Sequence, residues 1–585
     1  MDNNTIAQML SETADLLEIS GADSFRIRSY RRAAEAIESS TASISALAAE
    51  PKKLLEIPGI GKGMAANIVE MEQTGKLTPR EELLAKYKPS MLELLKLPGL
   101  GPKTVALFWD ALQIGDIDAL EAAAQAGQLD DLPRFGKKQA EKILKGIADY
   151  RQHAGRFHLD DAEEAAAKLT EYLLRFPGIT VVTPAGSLRR GRDTVGDLDM
   201  LVTGPACAED VVSAAVEYAA AYPPITNLLA KGQNKVSFNL RSGLQVDVRL
   251  LPEESYGAAL QYFTGSKTHS VTLRQRALKM GYTLSEYALA RVDDGSVVAA
   301  RTEEDIYAAL GMDWIPPELR ENLGEIDAAI HHTLPHLIQQ SDIRGDVHMH
   351  THATDGKNSI REMADAALAR GYAYIAITDH SKNLAMTNGL DDARALEHIK
   401  KIRAVDKAMK GKIRVFTGIE VDILADGALD LSDETLAQMD VVIASVHSLF
   451  NQPLKQMTDR VLRAIENPYT RVLGHPTGRL LLRREPFALD LDIVLRRCAE
   501  LGVAVEHNSY PDRLDLNDRN LRLAKELGCK IAINTDSHHT SHMEKMRYGI
   551  RQLRRAWLTP KDVLNTLPPE KFLKSLRPRI ESMVH

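Results

Sequence analysis

Cysteine is scarce in this chain. Cys207, Cys498 and Cys529 are its only three, far apart and without Cys-x-x-Cys spacing, so neither a disulfide framework nor a zinc knuckle is encoded. Free, buried thiols are expected. No stretch approaches ~20 uninterrupted apolar residues, which excludes a membrane-spanning helix. The opening segment carries Asp2, Glu12, Asp15 and Glu18 among scattered apolar positions and lacks the basic start and apolar run of a secretory leader, so the chain reads as cytoplasmic. Long like-charge blocks and low-complexity tracts are missing too, which confines disorder to linkers. A formal charge of −7 argues against a protein that coats nucleic acid with a broad positive surface. Any nucleic-acid contact must be local, and part of the acidic excess is expected in cation sites.

What is present is ordinary globular material, 44% hydrophobic and 26% charged over 585 residues. Single hydrophobic cores stop growing near ~250–300 residues, so several domains are expected. Near the N-terminus a pattern repeats: Leu54-Leu55-Glu56-Ile57-Pro58-Gly59-Ile60-Gly61-Lys62-Gly63, then Leu94-Leu95-Lys96-Leu97-Pro98-Gly99-Leu100-Gly101-Pro102-Lys103. An apolar-periodic stretch follows each copy, so each reads as helix, glycine turn, helix. Bare amides at the start of the second helix suit a phosphate oxygen, with a lysine close by for charge. Pro133-Arg134-Phe135-Gly136-Lys137-Lys138 reads as a degraded third copy, and Arg26, Arg28, Arg31 and Arg32 form a basic cluster that fits a solvated helix face equally well. Two close copies resemble the helix-hairpin-helix motif of DNA repair proteins. That implies sequence-independent gripping of the DNA backbone through Gly59, Gly61, Gly63, Gly99, Gly101 and Lys103.

Further on, Ala185-Gly186-Ser187-Leu188-Arg189-Arg190-Gly191 leads into Val195-Gly196-Asp197-Leu198-Asp199-Met200. Strand residues two apart share a face, so Asp197 and Asp199 point together while Leu198 and Met200 face the core. Gln245-Val246-Asp247-Val248-Arg249 alternates likewise and supplies a third carboxylate. Hard oxygen ligands of this kind can hold the two magnesium or manganese ions that phosphoryl transfer uses, about 4 Å apart. Gly186 and Ser187 can offer an amide and a hydroxyl to a triphosphate, and Arg190 adds charge.

These motifs resemble the nucleotidyltransferase palm of X-family DNA polymerases. The resemblance implies that Asp197 and Asp199 bridge both ions and that Asp247 helps activate the primer 3′-hydroxyl. It makes Tyr262, Phe263 and Gly265 of Tyr262-Phe263-Thr264-Gly265-Ser266 the nucleotide pocket, with Arg274 at the position that contacts the template. Glu303-Glu304-Asp305-Ile306-Tyr307, Leu310-Gly311 and Trp314-Ile315-Pro316-Pro317 resemble the end of that family's thumb. One departure stands out. Relatives with deoxyribose-phosphate lyase activity carry a Schiff-base lysine on the helix after the first hairpin, and alignment of the hairpin places Asn67 there. An amide cannot be that nucleophile, so lyase activity is expected to be absent or to use another amine such as Lys62.

Past Ile343 short apolar runs end in metal-type residues and alternate with helical stretches. The endings are Asp346-Val347-His348-Met349-His350, Thr378-Asp379-His380, Glu420-Val421-Asp422, Val446-His447, Gly474-His475 and Thr535-Asp536-Ser537-His538. Alternation of this kind favours a parallel (β/α) barrel with reactive groups at the C-terminal strand ends. His348 with His350, and Asp536 with His538, share strand faces by the same period of two, and the array as a whole reads as a metal cluster.

This half resembles the polymerase and histidinol phosphatase (PHP) domain family. The resemblance implies three metals. His348, His350, Glu420 and Asp536 hold one; Glu420 bridges to a second on His447 and His475; Asp355, His380 and His538 hold the third. Manganese, zinc or iron all suit the donor set. His352, His507, His539 and His542 are surplus, and His507 stands out because it lies in Glu506-His507-Asn508 where relatives carry an apolar residue. Arg479 and Lys382 are candidate phosphate ligands or solvated charges.

The expected order is therefore an N-terminal helical domain with the first hairpin (1–85), a second helical domain (86–155), a palm (156–255), a thumb with the nucleotide pocket (256–318), a packed linker (319–343) and a PHP phosphoesterase (344–585). The fold class is multidomain: helical hairpin modules, an α+β palm and thumb, and a distorted (β/α) barrel. The function is gap-filling DNA synthesis in repair with a metal-dependent 3′-5′ exonuclease, abasic endonuclease and 3′-phosphatase action being left open. Expected partners are gapped or nicked double-stranded DNA and dNTP, with no membrane and a monomeric state. The alternatives are a small-molecule phosphatase tethered to DNA by the polymerase half, and a non-catalytic scaffold that holds DNA ends.

Overall fold

The computed structural model describes residues 1, 3–38, 44–57, 59–97, 99–130, 132–133, 135–153 and 155–576. Pro58 and Pro98 of the two hairpins, and Arg134 of the third, lie outside the described residues. The chain divides into two compact units, Met1–Ala154 and Gly155–His585.

The first unit is helical and has two cores. One gathers Ile6, Leu10, Tyr30, Leu54, Ile68 and Leu77; the other gathers Met91, Leu94, Val105, Phe108, Leu120 and Ile147. Helix α1 (Lys62–Thr74) starts after an extended Gly61 and stops at Gly75, whose φ of 69° ends it in a left-handed cap. Helix α2 (Pro102–Leu112) starts after Gly101 with proline in its first turn, where the missing N–H costs nothing. Neither N-terminus is capped by a side chain, so both first turns leave amides bare. Gly59 and Gly99 turn the chain at φ of 100° and 81°, a region that only glycine enters cheaply. The third copy has the same form, with Gly136 accepting from Gln139 and Ala140 at the start of α3 (Lys137–His153).

The second unit opens with a five-stranded sheet in the order β1-β2-β5-β4-β3, formed by β1 (Val181–Pro184), β2 (Asp197–Thr203), β3 (Ile225–Lys231), β4 (Lys235–Leu240) and β5 (Gln245–Leu250). Only β2 and β5 run parallel. Leu198, Met200, Val202, Val246 and Val248 fill the core beneath it. A smaller domain follows, with α4 (Tyr256–Thr264), α5 (Lys267–Lys279) and a three-stranded sheet of β6 (Tyr282–Leu284), β7 (Leu289–Arg291) and β8 (Val297–Ala299). Leu319, Ile326 and Ala329 join its core, whereas Ile338 and Ile343 join the next one.

The rest is a parallel sheet of seven strands in sequence order: β9 (Gly345–Asp346), β10 (Tyr374–Ile377), β11 (Arg414–Asp422), β12 (Val441–Ser445), β13 (Val472–Leu473), β14 (Ala504–Asn508) and β15 (Ile531–Asn534). A parallel bridge between Met349 and Ser537 joins its two ends, so the sheet nearly closes. Val347, Ala376, Phe416, Ile443, Ala504 and Ala532 pack together with Leu564 and Phe572 of the C-terminal segment. The other strand faces, Ile375, Ile377, Val442, Val505 and Ile533, pack with the surrounding helices. The result is a filled barrel whose polar residues collect where the strands end.

Candidate active sites

The palm site is built by strand register. Asp199 on β2 stands opposite Asp247 on β5 in the parallel ladder, and Asp197 lies two residues before Asp199 on the same face. Burial, then Asp197 and Asp247, push the Asp199 carboxyl up to about 7, against the pull of Arg249 and Arg190. Asp247 is held below the ordinary carboxylate range. Burial opposes this, but hydrogen bonds from Ser237, Lys235 and Gln245 outweigh it, Lys235 Nζ lying 2.9 Å away.

Gly186 lies directly under Asp199. A Cβ there would run into the Asp199 carboxylate, and the residue has φ of 56°. The short helix α6 of this chain region, Gly186–Arg189, follows β1 without a side-chain cap, and the Ser187 hydroxyl is buried with no partner. Arg190 donates to the Thr264 carbonyl (2.5 Å) and pairs with Glu321 (3.1 Å); Arg189 is forked onto Glu303. A Cβ on Gly265 would come within 3.1 Å of the Arg190 guanidinium. Tyr262 and Phe263 are half-buried at the end of α4, ring centroids 5.1 Å apart, with Arg249 over Phe263. Gly186 thus abuts Asp199, and Phe263 and Gly265 lie against Arg249 and Arg190, the two arginines whose charge reaches that carboxylate. Arg274 is exposed on α5.

In the first unit Gly61, Gly63, Lys62 and Lys103 are exposed. Arg31 of the basic cluster is paired with Asp15 and Glu18. Asn67 donates its amide to Tyr30.

At the barrel mouth all nine residues read as ligands come together. Those with atoms within 4.8 Å of one another form three overlapping sets: His350, Asp355, His380 and His538; His348, His350 and Asp536; His380, Glu420 and His447. His475 Nε2 joins through Glu420 Oε1 at 3.0 Å. Glu420 is central, with His348, His350, His380, His447 and His475 within 3.6 Å. Despite complete burial, its carboxyl is driven well below the usual range, chiefly by His447, His348 and His380. His475 and Asp536 have φ of 22° and 53°, left-handed backbone that a non-glycine residue keeps only where surrounding structure enforces it.

The donor set fits cations. His348 Nε2 and His350 Nδ1 are buried with no hydrogen-bond partner, yet His348 Nε2 lies 3.4 Å from Glu420 and 3.6 Å from Asp536. Such orphaned nitrogens facing carboxylates are costly unless an ion joins them. Divalent-metal dependence follows. The cluster opens to solvent at Asp355 and His538, 29% and 30% exposed, while His348 and His350 are sealed.

The sequence reading missed the residues that hold the ligands. Glu506 accepts from His348 Nδ1 (2.7 Å), the His475 amide (2.7 Å) and Asn534 (2.9 Å). Asp422 backs His447, and Asp379, bonded to Thr351, Thr354 and His398, holds the loop between the ligands His350 and Asp355. Carboxylates behind metal-binding histidines fix ring orientation and raise basicity. The alternation of Glu506 and Asn508 about His507 was the available signal, for His507 faces away, onto the Leu516 carbonyl and Gly549. Arg513 was also missed: its Nε lies 3.7 Å from Asp536. Arg479 instead spends its fork on the Arg513 and Leu514 carbonyls and Asp193, and Lys382 pairs with Asp392.

Four family models match: a helix-hairpin-helix domain (residues 1–77), a SAM-like helix-hairpin-helix tandem (91–149), the DNA polymerase beta thumb (259–321) and the PHP domain (346–486). A probable phosphatase of Thermoanaerobacter sp. (strain X514) is 28% identical over 232 residues, 38% of this chain and 89% of that one. A solved structure, Leishmania infantum polymerase beta in a ternary P/T complex, aligns at 23% identity over 40% of this chain and 98% of that one, with a TM-score of 0.27. Among the described residues no helix is long and apolar enough to cross a membrane. The DNA polymerase/3′-5′ exonuclease PolX of Bacillus subtilis (strain 168) is 37% identical over 579 residues, 98% of this chain and all of that one. At that identity, over the full length of the relative, the chain belongs to the PolX family of DNA polymerase/3′-5′ exonucleases.

Proposed function

We propose that this protein fills short gaps in DNA during base-excision-type repair and trims 3′ ends with its barrel. The observation that carries the reading is the presence of two cation-binding centres of different chemistry in one chain of this family. One is a trio of carboxylates beside a thumb, the other a cluster of imidazoles and carboxylates at a barrel mouth.

In the palm, Asp197 and Asp199 hold two Mg2+ or Mn2+ ions, and Asp247 orients the primer 3′-hydroxyl. Gly186, Ser187 and Arg190 receive the dNTP triphosphate. Tyr262, Phe263 and Gly265 receive its sugar, and Arg274 the template. The hairpins, through Gly59, Gly61, Gly63, Gly99, Gly101 and Lys103, grip gapped or nicked duplex DNA by its backbone.

In the barrel, the nine ligands hold up to three Mn2+, Zn2+ or Fe ions. Divalent ions in such clusters neutralise phosphate charge and acidify bound water. Glu506 and Asp422 keep the imidazoles turned inward, Asp379 holds the loop that carries Thr351 and Thr354, and Arg513 offers a cation at the mouth for the scissile phosphate. The protein acts as a monomer, with boundaries near 85, 155, 255, 318 and 343.

The likeness of the barrel to probable phosphatases favours one second reading, a small-phosphomonoester phosphatase tethered to DNA. A single-nucleotide gap assay with Mg2+ and then Mn2+, on wild type, Asp199→Ala and His348→Ala, separates the two. Asp199→Ala should abolish synthesis and spare 3′ degradation; His348→Ala should do the reverse. If p-nitrophenyl phosphate is hydrolysed as fast as DNA ends, the exonuclease reading gives way to the phosphatase.

A further inference from the structure

A late helix of the barrel domain, α7 (Met546–Arg555), leaves an unexplained set of contacts. Its Met546, Ile550 and Leu553 pack into the barrel core, yet its Tyr548 is buried in the palm core. The polar residues of its last turn do not face solvent. Gln552 donates to the Gly191 carbonyl (2.7 Å), and Arg555 donates to the Arg190 carbonyl (2.9 Å). Gly191 has φ of 66°, and a Cβ there would stand 3.1 Å from Arg551. A helix of one domain is therefore clamped to the turn that ends the Gly186–Arg190 segment of another.

The charges are arranged in the same sense. Glu321 Oε1 is shared by Arg190 Nε at 3.1 Å and Arg555 Nη1 at 3.0 Å. The other edge of Arg555 lies on Asp518, 2.7 Å away, and the side chain is 2% exposed. Arg190 itself has one further bond, to the Thr264 carbonyl. Arg192 Nη1 is more distant, 3.9 Å from the same oxygen, so Glu321 stands chiefly between Arg190 and Arg555, and of these only Arg190 borders the palm carboxylates.

We propose that Arg555, a barrel residue, is a positioning residue of the polymerase site: it fixes the Arg190–Gly191 turn and draws the Glu321 charge away from Arg190, leaving that guanidinium available to the incoming triphosphate. The inference rests on the reading of Arg190 as a triphosphate ligand. Without Arg555, Glu321 has Arg190 as its nearest cation, and the dNTP must compete with a buried carboxylate for it. Triphosphate binding then weakens, while the aspartates that carry the chemistry are untouched. The barrel's own ligands lie elsewhere, so the effect is confined to synthesis.

Steady-state gap filling at varied dNTP concentration tests this on the full-length protein, with 3′ degradation of single-stranded DNA and thermal melting measured in parallel. Arg555→Ala should raise the KM for dNTP about tenfold, the scale of one charge-assisted hydrogen bond, with kcat and 3′ degradation within about twofold. Arg555→Lys should recover part of the loss. The double variant Arg555→Ala with Glu321→Gln should return KM close to the wild-type value, because the competing charge is gone; a purely structural clamp predicts no such rescue. Arg190→Ala is the control and should raise KM at least as far. If Arg190→Ala raises KM and Arg555→Ala does not, the inference fails alone. If neither does, the reading of Arg190 fails with it. A fall in kcat, 3′ degradation and melting temperature together, without rescue by Glu321→Gln, makes Arg555 a stabilising contact only and overturns the proposal.

Discussion

The palm and barrel centres both gather cation-binding side chains, and do so in opposite ways. The palm sets three carboxylates, of which Asp197 alone is exposed, on adjacent parallel strands and places arginines and Lys235 around them. Burial, then the neighbouring Asp197 and Asp247, raise Asp199 to about 7. The barrel gathers nine donors, most of them buried, balances carboxylate against imidazole, and supports the rings with further carboxylates from behind. The difference teaches that the palm leaves part of its carboxylate trio open to solvent, while the barrel seals the histidines at the centre of its cluster.

The contrast can be broken at its strongest point by Glu420→Gln. Because Glu420 touches five histidines, the variant should lose resident metal, measured by mass spectrometry after gel filtration, and about 10³-fold of 3′ degradation, while synthesis continues. Retention of the full metal content would contradict the central role assigned to this carboxylate. In the palm, Gly186→Ala should cost about 10²-fold in gap filling and leave 3′ degradation alone, since the added methyl displaces Asp199. An unchanged polymerase rate would show that the Asp199 position is not critical.

Glu506→Gln sharpens the barrel side. It removes the acceptor behind His348 and should weaken metal affinity about 10- to 100-fold in competition with a chelator, with activity restored by added Mn2+ or Zn2+. Equal chelator resistance in variant and wild type would argue that Glu506 only packs.

The smallest expected effect on activity is that of Glu303→Gln. Glu303 is 3% exposed, is bound by Arg189, Arg320 and Trp314, and titrates at about 2 because those arginines outweigh its burial. A depressed carboxyl stabilises the fold fully above its ordinary value near 4.5, and that contribution is lost as pH falls toward 2. The variant should therefore be less stable by about 3 kcal/mol at pH 7. The gap in melting temperature should narrow between pH 5 and pH 3; a constant gap would mean that packing, not charge, is what the substitution removes.

Much of both sites was legible because their chemistry is carried by short local patterns. The Asp197-x-Asp199 and His348-x-His350 spacings reveal shared faces through the period of two, without knowledge of the rest of the chain. The backing carboxylates were not legible in this way. Glu506, Asp379 and Asp422 are unremarkable strand-end acids in sequence, and only burial against a particular imidazole gives each its role. Arg479 shows the converse, for a plausible phosphate ligand is fully engaged by carbonyls of a neighbouring loop and by Asp193 of the palm.

Sequence by itself determined which residues could bind cations, the alternation that makes a barrel, and the glycine turns that leave helix amides bare, since all of these depend on neighbours within a few positions. Tertiary structure alone decided which donors meet, how deeply each is buried, and that a barrel arginine reaches the turn of a palm loop 365 positions away. The physical reason is that burial and pairing set the energy of a charge, and both are created only when segments distant in the chain close on one another.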